Sequence, residues 1–210
     1  MRDDRPIVQE AIASGRKVVA SVAPSAPAFF NIRVFQQIES VLKTLGFAAA
    51  GETAYGAEMV GLAHRDVLRA RPAGVPYVTS SCPVVINLVE KYYPDLIPHL
   101  APVVSPMIAH GRWLRAAHGD DALLVFIGPC IAKKAEIHDD AVCGVINAAL
   151  TFTELQEWMD AEGVMIPALE ASPASEQPRP AARLFPIEGG LVGTARMDTD
   201  LLAPSTLVTS

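Results

Sequence analysis

The segment 122–127, Ala-Leu-Leu-Val-Phe-Ile, constrains the fold most: six consecutive apolar residues, bounded by Asp120-Asp121 and Gly128-Pro129. A strand without polar alternation is covered on both faces, as in a parallel sheet flanked by helices. Residues 17–22 have a similar character and run into Ala23-Pro24-Ser25-Ala26-Pro27, where two prolines predict a loop. Asn31 is placed to cap a helix whose apolar positions Val34, Phe35, Ile38, Val41, Leu42 and Leu45 share one face, with Gly46 closing it.

The alternation continues. Strands are expected at 47–50, 76–80, 103–104 and 142–152, and helices at 54–71, 84–92, 107–117 and 153–161. Repeated strand and helix predict an α/β fold of two βαβ-type lobes, with mostly parallel sheets flanked by helices and a site in the cleft between them. Residues 167–180, rich in Pro, Ala, Ser and Glu, predict a surface loop, and 185–210 show no convincing closing element.

Half of the 210 residues are hydrophobic, enough for a sizeable core, and the net charge of -6 provides no basic surplus to neutralise phosphates. Nucleic acid and acidic membranes are therefore excluded as expected partners. The start, Met1-Arg2-Asp3-Asp4-Arg5, leads into no signal-peptide core, and no apolar run reaches the length of a membrane span, so a cytoplasmic location is expected. Three widely separated cysteines suit thiols in a reducing compartment better than a disulfide framework.

Two of those cysteines occupy equivalent places. Cys82, in Thr79-Ser80-Ser81-Cys82-Pro83, follows a predicted strand and opens a helix with Pro83 in its first turn. A thiol near the amides of a helix start is favoured as thiolate, able to bind a soft metal or attack an electrophile; the alternative is a structural cysteine. Cys130, in Gly128-Pro129-Cys130-Ile131-Ala132-Lys133-Lys134-Ala135-Glu136, follows the most apolar strand in the same way. Lys133 is suited to donate to an anionic ligand, and Glu136 to pair with it or carry protons; a solvated Lys/Glu face is the alternative. Cys143 reads as packing within an apolar strand. The five histidines lack zinc-site spacing, and no phosphate-binding or dinucleotide loop occurs.

Together the two loops resemble the iron-only hydrogenase large subunit, whose pattern has Thr-Ser-Cys-Cys-Pro in one loop and Pro-Cys-x-x-Lys-x-x-Glu in the next. Asn87 to Pro94 and Ser105-Pro106-Met107 also match, and the resemblance extends from about Lys17 to the tail. It implies that Cys82 and Cys130 ligate a 4Fe-4S cluster linked to a di-iron site, that Lys133 hydrogen-bonds the diatomic ligands, and that Glu136 lies on the proton route. Ser81 stands where catalytic members relay protons through a cysteine, Gly128 replaces a methionine, and Val85 a tryptophan. The third motif of the family, with two further cysteines, is absent from the 210 residues.

The resemblance therefore implies a single domain, 1–210, incomplete at its C-terminus and closest to a divergent sensory branch. Hydrogen sensing or slow hydrogen turnover in the complete protein is the expected function, with a ferredoxin-like domain or protein as electron partner and a complementing chain as source of the missing ligands. The alternative is a non-catalytic binding or assembly module that keeps the fold without a functional metal site.

Overall fold

The computed structural model describes residues 2–72, 74–167, 178–187 and 189–195. In chain order the elements are α1 (Arg5–Ala13), β1 (Val18–Val22), α2 (Ala26–Phe30), α3 (Phe35–Thr44), β2 (Ala49–Glu52), α4 (Ala54–Ala70) and α5 (Pro83–Tyr92). A 3-10 helix at Pro94–His99 precedes α6 (Pro106–His118), β3 (Leu123–Gly128), α7 (Lys133–Glu136), β4 (Ala148–Thr151), α8 (Phe152–Glu162), α9 (Pro180–Arg183) and α10 (Gly190–Thr194). They form two compact units, Met1–Thr53 with His110–Gln177, and Ala54–Ala109 with Pro178–Ser210.

The first unit carries the α/β architecture. Its four strands are all parallel, in the order β2-β1-β3-β4, with Val18 to Val22 of β1 aligned to Leu123 to Ile127 of β3. All five residues of β1 and all six of β3 are buried, as expected for strands covered on both faces. Helix α3 packs against β2, α1 against β1, β3 and β4, and α8 against β3 and β4. Ile38, Leu42, Leu124, Ile127, Leu150, Leu155 and Met159 are among its fully buried side chains.

Helix α8 begins at Phe152, one residue before the expected Thr153, because Thr151, expected within the strand, caps it: its hydroxyl accepts from the Glu154 amide at 3.1 Å while Glu154 accepts from the Thr151 amide at 2.7 Å. Helix α3 starts differently from expectation. Asn31 lies in the left-handed region at φ 52° and ends α2, a short helix that replaces the expected loop because Pro27 is compatible with a first helical turn. The α3 start is instead closed by Gln37, whose side-chain oxygen accepts from the amides of Arg33 and Val34. Gly46 closes it as expected: φ is 99°, and a Cβ there would stand 2.5 Å from Ile12 Cγ2.

The second unit is helical among its described residues. The strands expected at 76–80 and 103–104 reduce to one parallel bridge, Val78 with Leu100, on either side of α5. Residues 78 and 100–101 retain the connectivity of a βαβ unit, but Pro76, Pro98 and Pro102 lack the amides that would extend the ladder. The strand expected at 142–152 is confined to β4, because Gly144, at φ 82°, belongs to a turn that precedes it. The expected loop at 167–180 and the tail at 185–210 lie largely outside the described residues. No described helix is long and apolar enough to cross a membrane.

Candidate functional site

In the first unit the chain passes from β1 outward to β2 and returns to the other side of β1 to form β3. That reversal is a topological switch point, where the carboxyl ends of adjacent parallel strands open a crevice suited to ligands. Cys130 lies two residues beyond the end of β3, at this switch point, and is exposed. Gly128 fits the strand end sterically: a Cβ would meet the Phe126 ring at 2.6 Å and the Cβ of Ala23, beyond the end of β1, at 3.0 Å. The ring of Phe126 thus occupies space that a side chain at 128 would need.

Beyond Cys130 the chain turns at once into α7, with the Lys133 amide donating to the Cys130 carbonyl at 3.3 Å. The Lys133 ammonium pairs with Glu136 at 2.5 Å, and both side chains are largely buried. Of the two roles open to Glu136 from sequence, pairing is therefore realised, and a solvated face is not. Lys134 points elsewhere: its ammonium meets Glu154 at 2.7 Å and the Arg2 carbonyl at 2.9 Å, tying the segment after Cys130 to the start of α8. Asp4, also buried, accepts from the Ala149 amide of edge strand β4 at 3.0 Å.

In the second unit Cys82 is the N-cap of α5, extended at φ -108° and ψ 114°, with Pro83 in the first turn. Its carbonyl accepts from the amides of Val85 and Ile86, and its thiol is exposed. Ser80 anchors the loop by donating to the Val103 carbonyl. Ser81, half-buried, has its hydroxyl 3.4 Å from His64 Nε2. His64 lies on α4 at 1% exposure, and its Nδ1 is 2.5 Å from the Tyr77 hydroxyl. Burial lowers the His64 pKa to about 4, so the imidazole is neutral at pH 7. Burial also pushes the Tyr77 hydroxyl up to about 12, opposed by the charge of Arg71, whose guanidinium carbon is 5.6 Å from the Tyr77 ring centroid.

His64 has no histidine partner at zinc-site spacing, so its role is not visible by that pattern. The usable signal was helical: Ala57, Val60, Gly61 and His64 recur at 3, 4 and 7 residues on the buried face of α4. A second histidine in the first unit, His110, is fully buried, bonds Ser21 through Nδ1 at 2.8 Å and stacks on Trp113. Burial lowers its pKa to about 3.

The site residues thus divide between the units, with Ser81 and Cys82 in the second and Cys130, Lys133 and Glu136 in the first. Cys143 is not a packing residue: it is exposed in the turn before β4, its thiol donating to the Asp140 carbonyl at 3.7 Å. A four-iron cluster calls for four ligands. The 210 residues hold three cysteines, and no described group of three or more His, Cys, Asp or Glu side chains is placed to hold a metal ion. The residues present therefore do not make up a complete cluster site.

The family model for the iron only hydrogenase large subunit, C-terminal domain, matches residues 16–205. The chain belongs to this family. Among similar proteins, iron hydrogenase 1 of Clostridium pasteurianum is 27% identical over 209 residues, covering 87% of this chain and 36% of its own length. Protein NAR1 of Arabidopsis thaliana is 25% identical over 203 residues, covering 78% of this chain and 43% of its own length. Among solved structures, an apo FeFe-hydrogenase from Chlamydomonas reinhardtii superposes with a TM-score of 0.66 at 25% identity, over 76% of this chain and 48% of the other. The chain thus spans about a third to a half of the length of these three relatives. It is a hydrogenase-like iron–sulfur family domain whose sheet carries an exposed cysteine, Cys130, at its switch point.

Proposed function

We propose that Cys82 and Cys130 are two of the ligands of an H-cluster-type iron–sulfur site, a 4Fe-4S cluster with a linked di-iron site, whose remaining ligands lie outside this sequence. In the complete protein the site senses hydrogen or turns it over slowly, and a ferredoxin-like domain or protein exchanges electrons with it. The observation that carries this reading is the placement of Cys130 beyond β3, at the switch point of a parallel sheet, with an exposed thiol. Cys82 supports it, with an exposed thiol at the start of a ten-residue helix. Lys133 and Glu136 stand three to six residues beyond Cys130 as a buried ion pair, a donor held in place for the ligands of the iron site.

Slow turnover follows from Ser81. A hydroxyl is a far weaker acid than a thiol, so proton transfer through position 81 is slower than through cysteine. The test is anaerobic reconstitution of the full-length natural protein with iron and sulfide, followed by Mössbauer and infrared spectroscopy. Cluster signals that disappear in Cys82→Ala and Cys130→Ala are expected, and in a protein completed with its di-iron site Ser81→Cys is expected to raise hydrogen turnover at least tenfold. Absence of any cluster signal in the natural protein would overturn the reading.

A second reading, an iron–sulfur assembly module without turnover, is favoured by the short donor set and by similarity to the cytosolic Fe-S cluster assembly factor NAR1 of Vanderwaltozyma polyspora, 31% identical over 87 residues, 41% of this chain and 17% of the relative. Unchanged stability and partner binding in the Cys82→Ala, Cys130→Ala double variant would favour this reading over the first.

A further inference from the structure

Where α4 ends in the second unit, a cation stands among neutral groups. Arg71 follows the last residue of the helix and is half-buried. Its Nη2 lies 3.3 Å from the Pro98 carbonyl and 3.1 Å from His99 Nδ1, and its guanidinium carbon is 5.6 Å from the Tyr77 ring centroid. Arginine only donates, so His99 accepts through Nδ1 and is neutral in this contact. Arg71 Nε is buried and has no hydrogen-bond partner among the described residues, and no described carboxylate pairs with this guanidinium. Lys133 and Lys134, by contrast, each meet a carboxylate. A charge shielded from water without an opposite charge is costly, and an anion beside Arg71 offsets that cost.

The surroundings of Arg71 narrow the kind of anion. It lines an open cleft of about 600 Å³, within the range of roughly 300–1,000 Å³ usual for small-molecule sites. Helix α4 contributes Val67 and Ala70, the 3-10 helix contributes Ile97 and Pro98, and Leu100 follows; Arg71 is the one charged residue of the lining. Ile97 is 45% exposed, so apolar surface is available to a ligand. Apolar walls with one polar anchor hold a molecule by its hydrocarbon and orient it by its charged end.

We infer that this cleft binds a small organic acid with an apolar body, its carboxylate paired with Arg71 and its hydrocarbon laid against Val67, Ile97 and Leu100. A carboxylate fits better than a phosphate, because its single charge is matched by one guanidinium and its planar oxygens suit the guanidinium fork. A phosphate dianion would leave charge and acceptors unmatched against Pro98, Ile97 and Leu100. The contacts of Arg71 with Pro98 and His99 fix the guanidinium at the cleft wall before a ligand arrives, which lowers the ordering cost of binding. The site uses none of the residues assigned to the iron–sulfur reading and does not rest on it.

The test is titration of the 210-residue chain at pH 7 with octanoate, followed by calorimetry and by NMR of the backbone amides. Octanoate should shift the amides of Val67, Ala70, Arg71, Ile97 and Leu100. Octanol keeps the hydrocarbon without the charge, and acetate keeps the charge without the hydrocarbon, so each should bind about tenfold more weakly or less. Arg71→Gln should weaken octanoate about tenfold while leaving octanol unchanged. Because Arg71 also holds the Pro98 carbonyl, Ile97→Asp serves as a second variant: it leaves Arg71 and its contacts in place at an exposed position, and a carboxylate there should abolish octanoate binding with the urea midpoint unchanged. Absence of octanoate binding at millimolar concentration, equal binding of octanoate and octanol, or binding that survives both substitutions would overturn the site.

Discussion

Replacing Glu154 by glutamine perturbs the segment after Cys130 at its tether. Lys134 and Glu154 pair at 2.7 Å with side chains only 7% and 14% exposed, and the ammonium's other contact is the Arg2 carbonyl. Breaking a buried pair from one side costs about 3–5 kcal/mol because the remaining charge is stranded. Glutamine keeps an oxygen for the Thr151 amide and a weaker acceptor for the ammonium, so the expected loss is smaller, about 2–3 kcal/mol. Lys134→Met removes the charge instead of stranding it, and Glu154 retains its place at the α8 start, so about 1 kcal/mol is expected. The double variant should then cost less than the sum of the single ones, with a coupling of roughly 1–2 kcal/mol. Urea denaturation of the four proteins measures all three quantities, provided the denaturant slopes agree. A Glu154→Gln loss below about 1 kcal/mol, or simple additivity, would refute the view that this pair is a buried tether.

Leu124→Ala, at a fully buried site in β3, should cost about 3 kcal/mol in the same denaturation assay, against roughly 0.5 kcal/mol or less for Cys82→Ser or Cys130→Ser, whose thiols are exposed. In the full-length natural protein the same two substitutions should nevertheless lower the iron bound after anaerobic reconstitution, measured as iron per chain. Stability should fall as pH drops below about 6.5, because His64 and His110 take up protons in the unfolded chain but stay neutral when folded until about pH 4 and about pH 3. For His64 the full loss by pH 4 is on the order of 3 kcal/mol, and His64→Gln should flatten that part of a stability-against-pH curve.

Much of the first unit was legible from local pattern. Residues 17–22 and 122–127 announced buried strands, and residues 153–161 announced the body of α8, because periodicity depends on neighbours in sequence. Asn31 was misread for a related reason: the residue type suits either end of a helix, and its left-handed backbone decides that it ends α2. The strands expected at 76–80 and 103–104 had apolar content but lacked amides at Pro76, Pro98 and Pro102, so only Val78 with Leu100 pairs.

The two cysteine loops and their membership of the hydrogenase family were determined by sequence alone, since residue types at fixed spacing carry that information. Only the tertiary structure placed Cys130 at a switch point, because strand order depends on which segments pair across long separations. It also decided that Lys133 pairs with Glu136 while adjacent Lys134 reaches Glu154, 20 residues away, a choice set by side-chain direction and burial. The contact between His64 and Ser81, 17 residues apart, likewise exists only once α4 packs beside the loop that precedes α5.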